Sequence, residues 1–289
     1  MSNLPAEAPA TIHGSFKQGL RQLKETPVPH NYRDVSEGAA STMYVDALKA
    51  FVSDDLVALV KLGRNHLPNP ALSPELRHRL PQLEKTHLLH TEGDVVRAAE
   101  LYLLHPLNVV LSKLVKNGHL YCRSEQTSAG GCRTDIRWVY HPNQSNQGNQ
   151  GNQDNQVKDI AVLEFKNTKI LRWSDFAPAW IDPQHAKDKI AEAFNIEPHS
   201  MHLVKNAVWV TKQAMKYAAN LKIADVAVFD WHAMFVYNLA TMKEDAANPT
   251  LAQGLWFEET QTHLGDGVTF RIVLLSFLVR ALKRHGVIT

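Results

Sequence analysis

Cysteine is nearly missing from this sequence, with Cys122 and Cys132 the two in 289 residues. Two cannot build a disulfide framework for a chain of this length, and no CxxC spacing provides a zinc site, so free thiols in a reducing compartment are expected. An excess of charge of one sign is missing as well. Lys and Arg number 31 against 29 Asp and Glu, a formal net charge of +2, which leaves any nucleic-acid surface to a local patch rather than a global field. The longest apolar run, VTFRIVLLSFLVRAL from Val268, is short for a bilayer span and is interrupted by Arg271 and Arg280; it reads as a core-packing helix. The opening MSNLPAEAPATIHGSF lacks the basic end and continuous apolar stretch of a signal peptide. An intracellular protein, cytoplasmic or nuclear, with no membrane partner is therefore expected. Walker, GxGxxG and GxSxG motifs are also lacking, which removes the common nucleotide-binding and serine-hydrolase signatures.

What remains is an ordinary globular composition, 44% hydrophobic and 21% charged, enough for one full core. Residues 1–40 mix Pro, Gly, Ala and charge without periodicity and read as a loosely ordered arm; residues 41–289 read as a single domain. Val45, Leu48, Val52, Leu56 and Leu59 or Val60 recur at helical spacing, with Gly63 as the expected stop. Short helices are expected around Pro74 and Pro81. Thr91 and Asp94 form a capping-box variant that opens a helix, bent or broken near Pro106 and ended at Gly118. The period then changes, and residues 119–127 and 134–141 read as strands joined by the turn-forming SAGGC. Residues 143–156, NQSNQGNQGNQDNQ, cannot bury a core and read as a mobile loop between strands. Beyond the strand that follows, Asp182 and Pro183 open a helix, a longer one carries Leu203, Val204, Ala207, Val208, Met215 and Ala218, and further strands lie in residues 223–240 and 254–263. Helices and strands in this order make an α/β sheet covered by helices.

The strand IAVLEFKNTK, residues 160–169, is apolar except for Glu164 and Lys166. Alternation puts both on one face with Val162, and Leu163 and Phe165 on the other. Taken alone, such a triplet reads as a solvated cross-strand charge pair. Asp135 alternates with Ile136, Trp138 and Tyr140 in the strand before the Asn/Gln tract, and an antiparallel hairpin would bring it beside Glu164. Two converging carboxylates make a hard-oxygen site for Mg²⁺ or Mn²⁺, and Lys166 on the same face can stabilise charge developing on phosphorus oxygens. Gln213 and Tyr217, four apart, share one helical face, with Lys212 and Lys216 as a neighbouring ridge suited to phosphates.

Asp135 followed by Glu164-Phe165-Lys166 resembles the D…(D/E)xK signature of the PD-(D/E)XK nuclease superfamily. Gln213-Ala214-Met215-Lys216-Tyr217 is similar to the QxxxY motif of its RecB-like and lambda-exonuclease-like branches. The resemblance covers about residues 85–240 and extends to fungal members of the group. It implies a restriction-endonuclease-like fold, a central mixed β-sheet flanked by helices, here with extra N-terminal helices and a C-terminal helix. It further implies a Mg²⁺-dependent nuclease acting on phosphodiester bonds, in DNA before RNA. Asp135 and Glu164 would be metal ligands, Lys166 would act on the attacking water, and Gln213 and Tyr217 would support the site. A further acid on the helix before the first strand is implied too. Glu92 and Glu100 compete for that place; Glu92 is favoured, because Glu100 lies among Ala99, Leu101 and Leu104, where an unpaired carboxylate is expensive to bury.

Two departures stand out: Thr134 replaces the proline that names the superfamily, and the Asn/Gln insertion lengthens the interval between Asp135 and Glu164. The alternatives are a nuclease-like fold kept as a nucleic-acid or protein binding module without turnover, and a toxin-like or selfish-element nuclease. His87 with His90, and His199 with His202, have helical metal-clamp spacing but no third ligand, and read as surface histidines. Asp230, Trp231 and His232 read as a strand end near the site.

Overall fold

The structure, a computed structural model, describes residues 10–26, 50–81, 87–127, 133–143, 156–185, 188, 192, 202–240, 252–259 and 267–289. Most of the expected arm, the Asn/Gln-rich tract apart from its two ends, the SAGGC turn with Cys132, His199, and most of the helix expected after Asp182 lie outside the described residues.

In chain order the elements are α1 (Ile12–Ser15), β1 (Lys24–Glu25), β2 (Phe51–Ser53), α2 (Leu56–His66), β3 (Leu88–Leu89) and α3 (Glu92–Ala99). A π-helical turn, Glu100–Leu104, leads into α4 (His105–Leu114), then β4 (Gly118–Thr127), β5 (Arg133–Pro142), β6 (Lys158–Phe165), α5 (Trp173–Phe176) and β7 (Trp180–Ile181). The chain continues through α6 (Lys205–Leu221), β8 (Asp225–Phe229), β9 (Met234–Asn238), β10 (Ala252–Phe257) and α7 (Phe270–Arg284). Eight strands form one mixed sheet in the order β4-β5-β6-β8-β9-β10-β2-β7, and β1 pairs with β3 apart from it. This is an α/β protein. The meander β4–β5–β6 is antiparallel, whereas β8 lies parallel to β6, which requires the crossover that contains α6.

Each face of the sheet carries its own core. Ile136, Trp138, Leu163 and Phe165 pack with α3, α4 and α7 on one side. Val162, Val228, Phe235 and Tyr237 pack with α6 on the other. Strands buried on both faces lose polar alternation, which accounts for the continuous apolar runs of β6 and β8. Helix α7, the long apolar run of the sequence, is buried on nearly every side, and no helix among the described residues is long and apolar enough to cross a membrane.

Several boundaries differ from the sequence reading. Of the helix expected from Val45 to Val60, Val45 and Leu48 lie outside the described residues; within them the helix begins at Leu56, capped by Asp55, whose carboxylate accepts from the Ala58 amide at 2.9 Å. Phe51 and Val52 before it form a strand inserted between β10 and β7. The long helix starts at Lys205, after Val204 in extended conformation, although Leu203 already reaches the core. The Thr91 capping box forms as expected. The bend near Pro106 takes the form of the π turn: proline has no amide to give the Tyr102 carbonyl, and the His105 amide reaches back to Glu100. The Tyr102 carbonyl instead accepts from Arg271 Nε of α7 at 2.5 Å. Arg271, 4% exposed, also donates through Nη1 to the carbonyls of Ser15 at 3.0 Å and Gln18 at 2.9 Å, fastening the N-terminal segment to the core.

Gly63 does not stop α2 but lies inside it, facing α7. A Cβ there would stand 2.1 Å from Ser276 Oγ and 3.2 Å from the Ile272 carbonyl, so glycine is what lets the two helices approach. Gly63→Ala is expected to lower the unfolding free energy by about 1–3 kcal/mol, despite the ~1 kcal/mol that alanine gains inside an exposed helix. Adding Ser276→Ala should recover part of the loss, since it removes the Oγ clash but leaves the Ser276 Cβ 3.1 Å from the new methyl. Urea denaturation checks this, with the midpoint moving at constant slope.

Candidate active site

Strand direction decides where the predicted acids meet. β5 starts beside the end of β6, with Ile136 opposite Leu163 and Arg137 opposite Val162. Asp135 therefore stands one step further on, next to Glu164, and the hairpin pairing assumed from the sequence is present. Asp135 Oδ2 accepts from the Phe165 amide at 2.7 Å, joining the two strand ends. Glu164 lies opposite Val228 of β8 and points to the α6 face with Val162. This is the carboxyl end of the parallel pair β6–β8, the end at which open α/β sheets hold their ligands.

Glu164 is 4% exposed, and a buried carboxylate needs both charge and donors. Oε1 takes the Lys166 ammonium at 2.7 Å and Gln213 Nε2 at 2.5 Å. Oε2 takes the Tyr217 hydroxyl at 2.7 Å. Gln213 Nε2 also donates to the Tyr217 oxygen at 2.5 Å, and the Arg133 carbonyl lies 3.0 Å from that oxygen. The helical spacing of Gln213 and Tyr217 thus places an amide and a phenol on one carboxylate. Gln213 Oε1 is buried with no hydrogen-bond partner among the described residues.

The electrostatics follow from this crowding. Burial, then repulsion from Glu164, pushes Asp135 up to about 6, against the Phe165 amide, Lys166 and Arg133. Burial works against the Lys166 ammonium, but Glu164, Glu92 and Asp135 outweigh it and hold its pKa above the usual lysine value. Burial and then Glu164 drive the Tyr217 phenol far upward, so it remains a hydrogen donor.

Glu92 opens α3 at the solvent-exposed rim. Although the residue as a whole is exposed, partial burial of the carboxyl raises its pKa, Lys166 opposes this, and Asp135 adds repulsion, so it belongs electrostatically to the same cluster. Glu100 is exposed on the π turn. There it contributes, behind burial, to raising the Cys122 thiol, and it is not among the groups acting on Asp135 or Lys166. The burial cost expected for Glu100 does not arise, because the π turn leaves it in solvent. Among the described residues no three His, Cys, Asp or Glu side chains are grouped closely enough to hold a metal ion; Asp135 and Glu164 are a pair, with Glu92 at the rim.

The lysine ridge of α6 is divided. Lys212 is 8% exposed with its ammonium 4.4 Å from the Trp209 ring centroid, its stem buried and its charge on an aromatic face. Lys216 is half-buried. His87 approaches the Asp94 carbonyl at 3.4 Å and the His90 carbonyl accepts from Asn167. Asp230 is fully buried and accepts from the amides of Leu171, His232 and Ala233, a turn-fixing role around Trp231 at φ 76°. Arg133 escaped the sequence reading. Its charge acts on Asp135 and Glu92 and its carbonyl meets Tyr217; its position two residues before Asp135 was the available signal. No family model matches the chain, and no curated protein matches it.

Lys166→Met is expected to cost about 3–5 kcal/mol by stranding the Glu164 charge. Combining it with Glu164→Gln should return a large part of that loss, as chemical denaturation of the two single variants and the double variant will read.

Proposed function

We propose that this chain is a metal-dependent nuclease of the PD-(D/E)XK type, with a restriction-endonuclease-like fold, hydrolysing phosphodiester bonds in DNA in preference to RNA. The observation that carries the reading is the meeting of Asp135, Glu164, Lys166, Gln213 and Tyr217 in one cluster at the carboxyl end of β6. These residues come from two strands, the turn after β6, and a helix more than forty positions further along. The meander followed by a crossover helix and a parallel strand supports it too.

Asp135 and Glu164 fit Mg²⁺ or Mn²⁺: they are hard-oxygen donors held close enough to repel each other, and such ions bind through one or two carboxylates and otherwise through water and phosphate oxygens. A divalent ion held there would supply Lewis-acid polarisation of the scissile phosphate. Lys166 sets a positive charge where negative charge develops on the phosphorus oxygens. Gln213 and Tyr217 fix the orientation of the Glu164 carboxylate, and Glu92 adds negative charge at the open rim.

A second reading, a nuclease-like fold used as a nucleic-acid or protein binding module, is favoured by one observation. Both Glu164 oxygens are already engaged inside the chain, as in a structural polar network.

Incubation with linear and circular DNA in Mg²⁺ or Mn²⁺ is expected to give cleavage that chelator abolishes and that Lys166→Ala, confirmed folded by circular dichroism, lowers by about 100-fold or more. Cleavage that persists in chelator removes the metal mechanism. Metal-dependent binding with no cleavage of DNA or RNA selects the binding module.

A further inference from the structure

The face of the sheet that carries Asp135 and Glu164 continues across β5 onto the edge strand β4. Directly paired residues share a face, and the register sets Arg123 opposite Arg137, Tyr121 opposite Val139 and His119 opposite His141. Arg137 follows Asp135 by two residues, so the whole row lies on the catalytic side. It is aromatic and cationic. The Tyr121 ring, 46% exposed, is held by His141 in an edge contact at 4.9 Å and by His119 at 6.1 Å. The Arg123 guanidinium lies 5.9 Å from its centroid.

The two arginines are not equivalent. Arg137 is neutralised by Asp159, to which it donates through Nε and Nη2. Arg123 donates through Nη2 to His141 Nε2 at 3.1 Å, a partner that accepts only when uncharged at that nitrogen. Among the described residues the charge of Arg123 therefore meets no carboxylate. An exposed ring fixed in place beside an uncancelled guanidinium is the pairing with which proteins hold unpaired bases and the phosphates between them.

We infer that the β4–β5 face is a binding track for single-stranded nucleic acid, with an unpaired base stacked on Tyr121 and a phosphate at Arg123, leading to the site of Asp135 and Glu164. This deepens the nuclease reading and rests on it for the destination of the strand. Tyr121 lies four residues along and one strand across from Asp135, about 14 Å away, a span of about four stacked nucleotides. Bases inside a duplex have no free face for the ring, so the track selects single strands or unpaired ends.

The test is fluorescence anisotropy in chelator, where no turnover intervenes, with a labelled single-stranded DNA oligonucleotide and the blunt duplex of the same sequence. The single strand is expected to bind more tightly than the duplex. Tyr121→Ala should weaken single-strand binding about tenfold, and Tyr121→Phe, which keeps the ring, should preserve it. Arg123→Gln should lower the slope of log affinity against log salt by about 0.7. Equal binding by wild type and Tyr121→Ala, or a preference for the duplex, overturns the inference. So does a change in sedimentation on Tyr121→Ala without a change in affinity, which would assign the face to contact between copies of this chain. Cleavage in Mg²⁺ without this binding pattern leaves the nuclease reading standing alone, and the binding pattern without cleavage leaves the track standing alone.

Discussion

A carboxylate shut almost completely away from water sets the terms for this molecule. Glu164 ends a strand that is buried on both faces, and an ionised group there is tolerated only where charge and donors surround it. Lys166 supplies the charge from the same strand end, and Gln213 and Tyr217 supply donors from α6. Asp135 enters from the antiparallel neighbour and is bound by the next amide along β6. Parallel pairing of β6 with β8 and the return of the chain through α6 are thus conditions for neutralising one side chain. The outcome is a site graded from closed to open, with Glu164 innermost, Asp135 half-buried and Glu92 at the rim.

The opposite face supplies the rigidity this requires. α7 is apolar around nearly its whole circumference and fills the space between the sheet, α2 and α4. Close packing leaves no room for a methyl group at Gly63. At its far end Arg280 and Arg284 bind Asp225 at the base of β8, and Arg280 also binds Asp54 beside β2. The helix therefore grips the sheet at the end away from the Glu164 cluster.

The strands of the meander and the residues of the cluster were legible because each left a local signal. Alternation marks β4 and β5, an acid and a base within an apolar run mark β6, and the four-residue spacing of Gln213 and Tyr217 marks one face of α6. Other features left none. β2 is three residues long and gains its identity from β10 and β7, far away in sequence. Phe51 and Val52 on their own continue a helical pattern as well as a strand. Gly63 looks like a terminator unless Ser276 is known to face it. The choice between Glu92 and Glu100 depended on the phase of a helix that changes its winding at Glu100 itself. Lys212 was an exception: Trp209, three residues earlier and so on the same helical face, was a local sign that its ammonium is covered. The basic and aromatic row on β4 was invisible because its meaning comes from which face Asp135 shares.

The proline at 106 has influence well beyond its own turn. By withholding one amide it leaves the Tyr102 carbonyl to Arg271, and the same guanidinium then reaches Ser15 and Gln18. An ordinary residue at 106 would bring an amide to the carbonyl that Arg271 already uses, and an oxygen with two lone pairs can take both. The two positions, one imino and one cationic, therefore meet at a single acceptor. The anchorage of the leading segment is inherited from a defect in a helix more than eighty residues downstream.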